Sequence, residues 1–228
     1  MWVKICANTS VEDAQSAIDL GADAIGYVFA PSKRRVTPEQ AGAITAGLRG
    51  DVERIGVFHE GDFEAIRSAV RVAGLTGVQL HGGPWVEVIR RLREEFGGEI
   101  GLTQTLHWVV GREGEDGSTA ERLAEQIVSL QGMVDRVLVD SKVGAALGGT
   151  GRSFDWEAGR VLFAGARKAG VAIIVAGGLD PENIGSAIER LQPWGVDVAS
   201  GVELEPGRKD PERLRLFIER ARAAGQNP

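Results

Sequence analysis

Eight short apolar runs, rich in β-branched residues, recur along the chain, and that count constrains the fold more than any other feature. They are 2–6 (WVKIC), 24–29 (AIGYVF), 54–58 (RIGVF), 77–81 (GVQLH), 100–106 (IGLTQTL), 136–140 (RVLVD), 171–176 (VAIIVA) and 195–200 (GVDVAS). Most are continuously apolar rather than alternating, which suits strands covered on both faces. Amphipathic stretches fill the gaps. Ile184, Ala187, Ile188 and Leu191 fall at i, i+3, i+4, i+7, and so do Leu214, Phe217, Ile218 and Ala221. Thr37-Pro-Glu, Asp180-Pro-Glu and Asp210-Pro-Glu each predict a helix start: a capping side chain, proline in the first turn, then an acid against the dipole. Ser10-Val-Glu-Asp13 resembles a capping box with Asp in place of Glu.

Eight βα units in 228 residues come to about 28 residues each, which predicts a single (βα)8 TIM barrel spanning residues 1–228 as one domain. A doubly wound open sheet is the alternative. It would more often carry a glycine-rich fingerprint after its first strand, whereas here Cys6-Ala7-Asn8-Thr9 follows. The polar, glycine-rich segment 111–118 reads as a solvated loop after the fifth strand, not a domain boundary.

Composition narrows the function classes. The net charge is −6 and no basic run exceeds Lys33-Arg34-Arg35, which argues against a nucleic-acid partner. One cysteine, Cys6, excludes an internal disulfide, and His59, His81 and His107 lack the spacing of a helical zinc motif, so no metal is expected. No run approaches a membrane span and the first residues carry no leader pattern, so a cytoplasmic protein is expected.

In a (βα)8 barrel the active site lies at the C-terminal ends of the strands, and that rule selects residues without any alignment. Strand one ends at Cys6, strand four at His81, strand six at Asp140, strand seven at Gly177-Gly178 and strand eight at Ser200-Gly201, while the loop after strand two carries Arg34 and Arg35. Each has a plainer reading. Cys6 could be a small buried hydrophobe, His81 a strand-end cap and Asp140 a helix or loop anchor. The glycine pairs could be tight turns alone. Placed at strands seven and eight, they match the position where barrels hold phosphate with backbone N–H groups. Gly148-Gly-Thr-Gly151 is not a P-loop, since no Gly-Lys-Ser/Thr follows; it is either a connection or a lid.

The chain also resembles the phosphoribosylanthranilate isomerases of tryptophan biosynthesis from about Val3 to Ile218. The resemblance rests on Lys4-Ile-Cys-Ala-Asn-Thr9, Gly21-Ala-Asp-Ala-Ile-Gly26, Ser32-Lys-Arg34, Gly56-Val-Phe58 and Val78-Gln-Leu-His81-Gly82. It continues through Val139-Asp140-Ser141, Gly148 to Trp156, Ala176 to Asn183, Asp197 to Glu203 and Pro206 to Asp210. It implies an Amadori rearrangement of N-(5-phosphoribosyl)anthranilate without metal or organic cofactor. In that family pattern Cys6 matches the general base and Asp140 the general acid. Arg34 matches the carboxylate-pairing residue, Gly177, Gly178, Ser200 and Gly201 match the phosphate turns, and His81 and Asp197 match further site positions.

Three departures stand out. Ala7 and Ala199 replace a usual glycine and a frequent serine, and Gln104-Thr105 stands where a Lys-Ala pair is common, which predicts a cation missing from the barrel. The expected partner is a small phosphorylated substrate, with the chain acting as a monomer or homodimer. Two rivals are kept. One is the related aminoaldose isomerase of histidine biosynthesis, which tends to have an aspartate where this chain has Cys6. The other is a non-catalytic phosphosugar-binding barrel.

Overall fold

The fold comes from a computed structural model that describes residues 1–83, 85–110, 116–143 and 156–226. Its parallel strands close into a barrel in sequence order: β1 (Trp2–Ile5), β2 (Ala24–Val28), β3 (Glu53–Phe58), β4 (Gly77–His81), β5 (Gly101–Val110), β6 (Arg136–Val143), β7 (Ala172–Ala176) and β8 (Gly195–Val198). β8 returns to β1 through Trp2↔Gly195 to Ile5↔Val198, so the doubly wound alternative is excluded. The helices are α1 (Val11–Asp19), α2 (Pro38–Gly47), α3 (Phe63–Ala73), α4 (Val86–Phe96), α5 (Asp116–Leu130), α6 (Trp156–Lys168), α7 (Ile184–Leu191) and α8 (Pro211–Ala224). Among the described residues no helix is long and apolar enough to cross a membrane.

The sequence patterns become packing. Ile184, Ala187, Ile188 and Leu191 of α7 are all buried, as are Leu214, Phe217, Ile218 and Ala221 of α8, in one core between sheet and helices. Thr37 and Gln40 form a full capping box, and Ser10 and Asp210 cap their helices through side-chain oxygens.

Three expectations are corrected. Asp180 does not cap α7, which begins at Ile184 after Asn183. Instead Asp180 and Asn183 exchange backbone-to-side-chain bonds of 3.0 and 2.9 Å, and Asn183 donates to the Gly178 carbonyl at 2.8 Å, so this segment braces the β7 turn. Strands β5 and β6 run past their expected ends at 106 and 140, because they pair on as a ribbon from Thr103↔Arg136 to Val110↔Val143. The segment 111–118 is not all loop, since α5 starts at Asp116; residues 111–115, like Gly148–Gly151, lie outside the described residues.

Candidate active site

The mouth of the barrel holds a cavity of about 280 Å³. Every expected site residue except Gly201 lines it: Cys6, Arg34, His81, Asp140, Gly177, Gly178, Asp197 and Ser200. A neighbouring apolar cavity between Phe29, Phe58 and Ile66 shares His59 and Glu60 with the mouth but contains neither Cys6 nor Asp140.

Strand alternation decides which side chains enter. On β1, Lys4 and Cys6 point inward and Val3 and Ile5 face the helices. Gly26 of β2 makes the room: a Cβ there would sit 2.8 Å from the Cys6 sulfur and 3.0 Å from Lys4 Cε. Lys4 is 1% exposed, and its Nζ donates to Asp197 Oδ1 at 3.0 Å across the β1–β8 seam. A lone ammonium there would be costly, so pairing is what permits it. Burial works against the Lys4 charge, but Asp197 and Cys6 together outweigh it and Lys4 is held above the ordinary lysine value.

Burial pushes the Cys6 thiol up; Lys4, which hydrogen-bonds it, opposes that shift, the Asp197 charge adds to it, and Lys209 opposes more weakly. Burial also raises Asp140, to about 7, with Asp197 adding to the shift and Lys4 opposing it. A carboxyl so placed carries a proton through much of the neutral range, as a general acid must.

A second buried network surrounds Cys6. Arg34 donates from Nε and Nη2 to Glu203 at 2.9 and 2.7 Å, leaving its Nη1 outside that pair. Lys209 Nζ donates to the Cys6 carbonyl at 2.5 Å and to Glu203 at 3.3 Å. Burial pushes Glu203 up, but the bonds from Arg34 and the Lys209 charge win and hold its carboxyl below the usual range. The strand pair β9 (Glu203–Glu205) and β10 (Arg208–Lys209) delivers both residues. Ala7 follows Cys6 with φ +64°, fully buried, in the conformation that a glycine adopts without cost.

On the opposite wall, Gly177 and Gly178 both have positive φ. A Cβ at Gly177 would meet Asp140 Oδ1 at 2.5 Å, so this glycine lets the β7 turn lie against Asp140. Gly201 is not part of the lining; a Cβ there would lie 1.8 Å from the Leu179 carbonyl, so it packs the β8 turn against the β7 turn. That turn, Ser200–Val202, is a single 3-10 turn.

The expected missing cation of strand five is also corrected. Gln104 faces outward with Leu102 and Leu106, donating to the Leu80, Gly83 and Thr105 carbonyls at 3.2, 3.3 and 3.0 Å. It therefore supports the loop after His81 and leaves the charge inside the barrel unchanged. The inward residues of β5 are those of opposite parity: Thr105, bonded to Gln79 at 3.2 Å, and His107, whose ring meets that of His81 edge-on at 4.6 Å.

The chain matches the family model described as N-(5'phosphoribosyl)anthranilate (PRA) isomerase over residues 3–220. The chain belongs to the N-(5'-phosphoribosyl)anthranilate isomerase family. An isomerase of that name from Rubrobacter xylanophilus is 40% identical over 97% of this chain and 98% of its own, and one from Bacillus cereus is likewise 40% identical over 97% and 98%. The crystal structure of the Thermotoga maritima isomerase superposes with a TM-score of 0.81 at 34% identity, covering 98% of this chain and 99% of that one. A further isomerase structure, in complex with reduced 1-(o-carboxyphenylamino)-1-deoxyribulose 5-phosphate, gives 0.78 at 34% identity, with the same coverage.

Sequence reasoning missed Lys4, Glu203, Lys209 and His107, which contact the residues lining the mouth. The first three lay inside quoted motifs and only needed a strand parity. His107 was hidden by ending strand five at 106, one residue short of it; three histidines in one chain, each near a strand end, was the available signal.

Proposed function

We propose that this chain catalyses the Amadori rearrangement of N-(5-phosphoribosyl)anthranilate to 1-(2-carboxyphenylamino)-1-deoxyribulose 5-phosphate, with Asp140 as general acid and Cys6 as general base. One observation carries the assignment of roles: a single mouth cavity is lined by both groups, and Asp140 is the one carboxyl raised to about 7 among the described residues. Asp140 protonates the ring oxygen, the C1′–O bond breaks, and the ring opens to a protonated Schiff base. Cys6 then takes the C2′ proton, giving the enolamine. Return of a proton to C1′ and loss of the C2′ hydroxyl proton leave the ketose. Every step is a proton transfer, so the chemistry uses no metal or organic cofactor.

The turns at Gly177-Gly178 and Ser200-Gly201 would present backbone N–H groups to the phosphate, which explains how an acidic chain binds an anion without a basic face. Arg34, anchored on Glu203, offers its remaining amino group to the anthranilate carboxylate. His81 and Asp197 complete the wall, Asp197 through its hold on Lys4. The reading has the chain working as one barrel domain in the cytoplasm, as a monomer or homodimer. It needs no nucleic acid or membrane, in keeping with its net charge of −6.

The decisive experiment is turnover of N-(5-phosphoribosyl)anthranilate by the purified chain, with complementation of a tryptophan auxotroph lacking the isomerase. Activity confined to the aminoaldose of histidine biosynthesis, or phosphosugar binding without turnover, would overturn the reading.

A further inference from the structure

His81, His107 and Asp140 stand on three consecutive strands, β4, β5 and β6, at the inner edge of the mouth. His107 and Asp140 are direct Cα partners across β5–β6, while His81 pairs with Thr105, two residues before His107. By parity all three side chains therefore leave the same face of the sheet. One nitrogen from each imidazole and one oxygen of Asp140 lie within 4.8 Å of one another. Bonds of about 2.0–2.2 Å to a first-row dication place the ligand atoms of a tetrahedral site roughly 3.4 Å apart. Side-chain rotation on fixed strands closes that difference, because the barrel ladder already holds the three Cα atoms.

The donor set selects the ion. Two imidazoles and one carboxylate suit Zn²⁺, Co²⁺ or Ni²⁺, whereas Mg²⁺ and Ca²⁺ prefer oxygen throughout. His59 Nδ1, 3.0 Å from the His81 carbonyl, helps hold the end of β4 in place. His81 and Asp140 both line the cavity, so an ion bound by them would stand at its wall, with its remaining positions open to water.

We propose that His81, His107 and Asp140 form a three-ligand site for one transition-metal dication, and that the ion is a reversible inhibitor competing with substrate rather than a cofactor. An ion on Asp140 occupies the oxygen that must carry a proton, and it stands where substrate enters. His107, whose ring packs against His81, has no assigned step in the isomerase reaction, so a variant there tests ion binding apart from the chemistry. The inhibition rests on the proposed isomerase chemistry; the binding does not.

The test is a titration of the chelator-treated full chain with CoCl₂, followed by visible absorption. We expect one Co²⁺ per chain, an intensified d–d band, displacement by ZnCl₂, and affinity lower by roughly tenfold or more in His107→Ala. Equal affinity in a folded His107→Ala variant, or a spectrum still that of the aquo ion, overturns the proposal. So does a sulfur-to-cobalt charge-transfer band, which would put the ion on Cys6. In turnover assays ZnCl₂ should raise KM reversibly, with His107→Ala needing roughly tenfold more ion for the same effect. Because the cobalt titration needs no substrate, a chain that binds the ion but lacks isomerase activity would overturn only the functional reading.

Discussion

The two ends of this barrel solve the problem of polar groups inside a closed sheet in opposite ways. At the N-terminal end of the strands, Arg136 donates to Glu53 at 2.6 and 2.9 Å, Trp2 Nε1 donates to the same carboxylate at 3.0 Å, and the guanidinium sits 4.8 Å from the Trp2 ring and 5.0 Å from the Trp194 ring. Every partner there is matched in charge and geometry, and the arrangement closes the barrel. At the C-terminal end, Lys4 is shared between Asp197 and Cys6, and Asp140 is buried against a second carboxylate. Matched charges produce a stable plug. Mismatched ones leave groups whose protonation is poised, and those can exchange protons with a substrate.

The largest expected effects come from removing the mismatched groups. Cys6→Ser and Asp140→Asn should each lower kcat by about 10²–10⁴-fold while the barrel stays folded, and the double variant should lose less than the product. Serine keeps a hydrogen bond but is far less acidic than the thiol. Near-normal turnover by Cys6→Ser would reduce the thiol to packing and erase the contrast between the ends.

At the other end the sign reverses. Arg136→Ala should cost about 1–3 kcal/mol of stability, since the pair is only partly buried, and should leave kcat of the folded fraction unchanged. A large fall in kcat at unchanged Tm would mean the closed end takes part in the chemistry.

The pH dependence sharpens the comparison further. The native pKa of Asp140 is raised from 3.8 to about 7, so the native state holds a proton that the unfolded chain releases. Its contribution to stability is fully present below about pH 4 and is lost as pH rises toward and through about 7. His81, His107, Lys4 and Asp197 are the groups that face it. Asp140→Asn should therefore raise Tm relative to wild type at pH 8, and the gap should close by pH 4. A gap that does not change with pH would show that the carboxyl is not the titrating group. Wild-type kcat/KM should fall below about pH 7, and again above the raised thiol value, because the productive form pairs protonated Asp140 with ionised Cys6.

Arg34→Ala should raise KM more than it lowers kcat. It also leaves Glu203 with only Lys209 and the Gly207 N–H, so Tm must be measured alongside. If KM stays at the wild-type value, the carboxylate is held elsewhere. The smallest effect is expected at Ala7. Glycine relieves its left-handed backbone but adds unfolded-state entropy, so Ala7→Gly should change stability by less than about 1 kcal/mol. A larger gain would show strain stored beside the thiol.

The sequence alone determined the barrel, through eight buried strand runs and the periodic helices between them, because burial on both faces of a closed sheet writes itself into composition. It also placed Cys6, Asp140 and the glycine turns at one mouth, since that follows from strand order. Tertiary structure decided the rest. Strand five shows the limit most clearly: Gln104 and His107 are three residues apart, yet one supports a loop from outside while the other faces Asp140. Ending the strand at 106 left His107 out of the mouth, although strand pairing carries it to Val110. The raised pKa of Asp140, the pairing of Lys4 with Asp197 and the hold of Glu203 on Arg34 all join residues distant in the chain. Charge interactions depend on separation and burial in space, and neither is a property of position along the sequence.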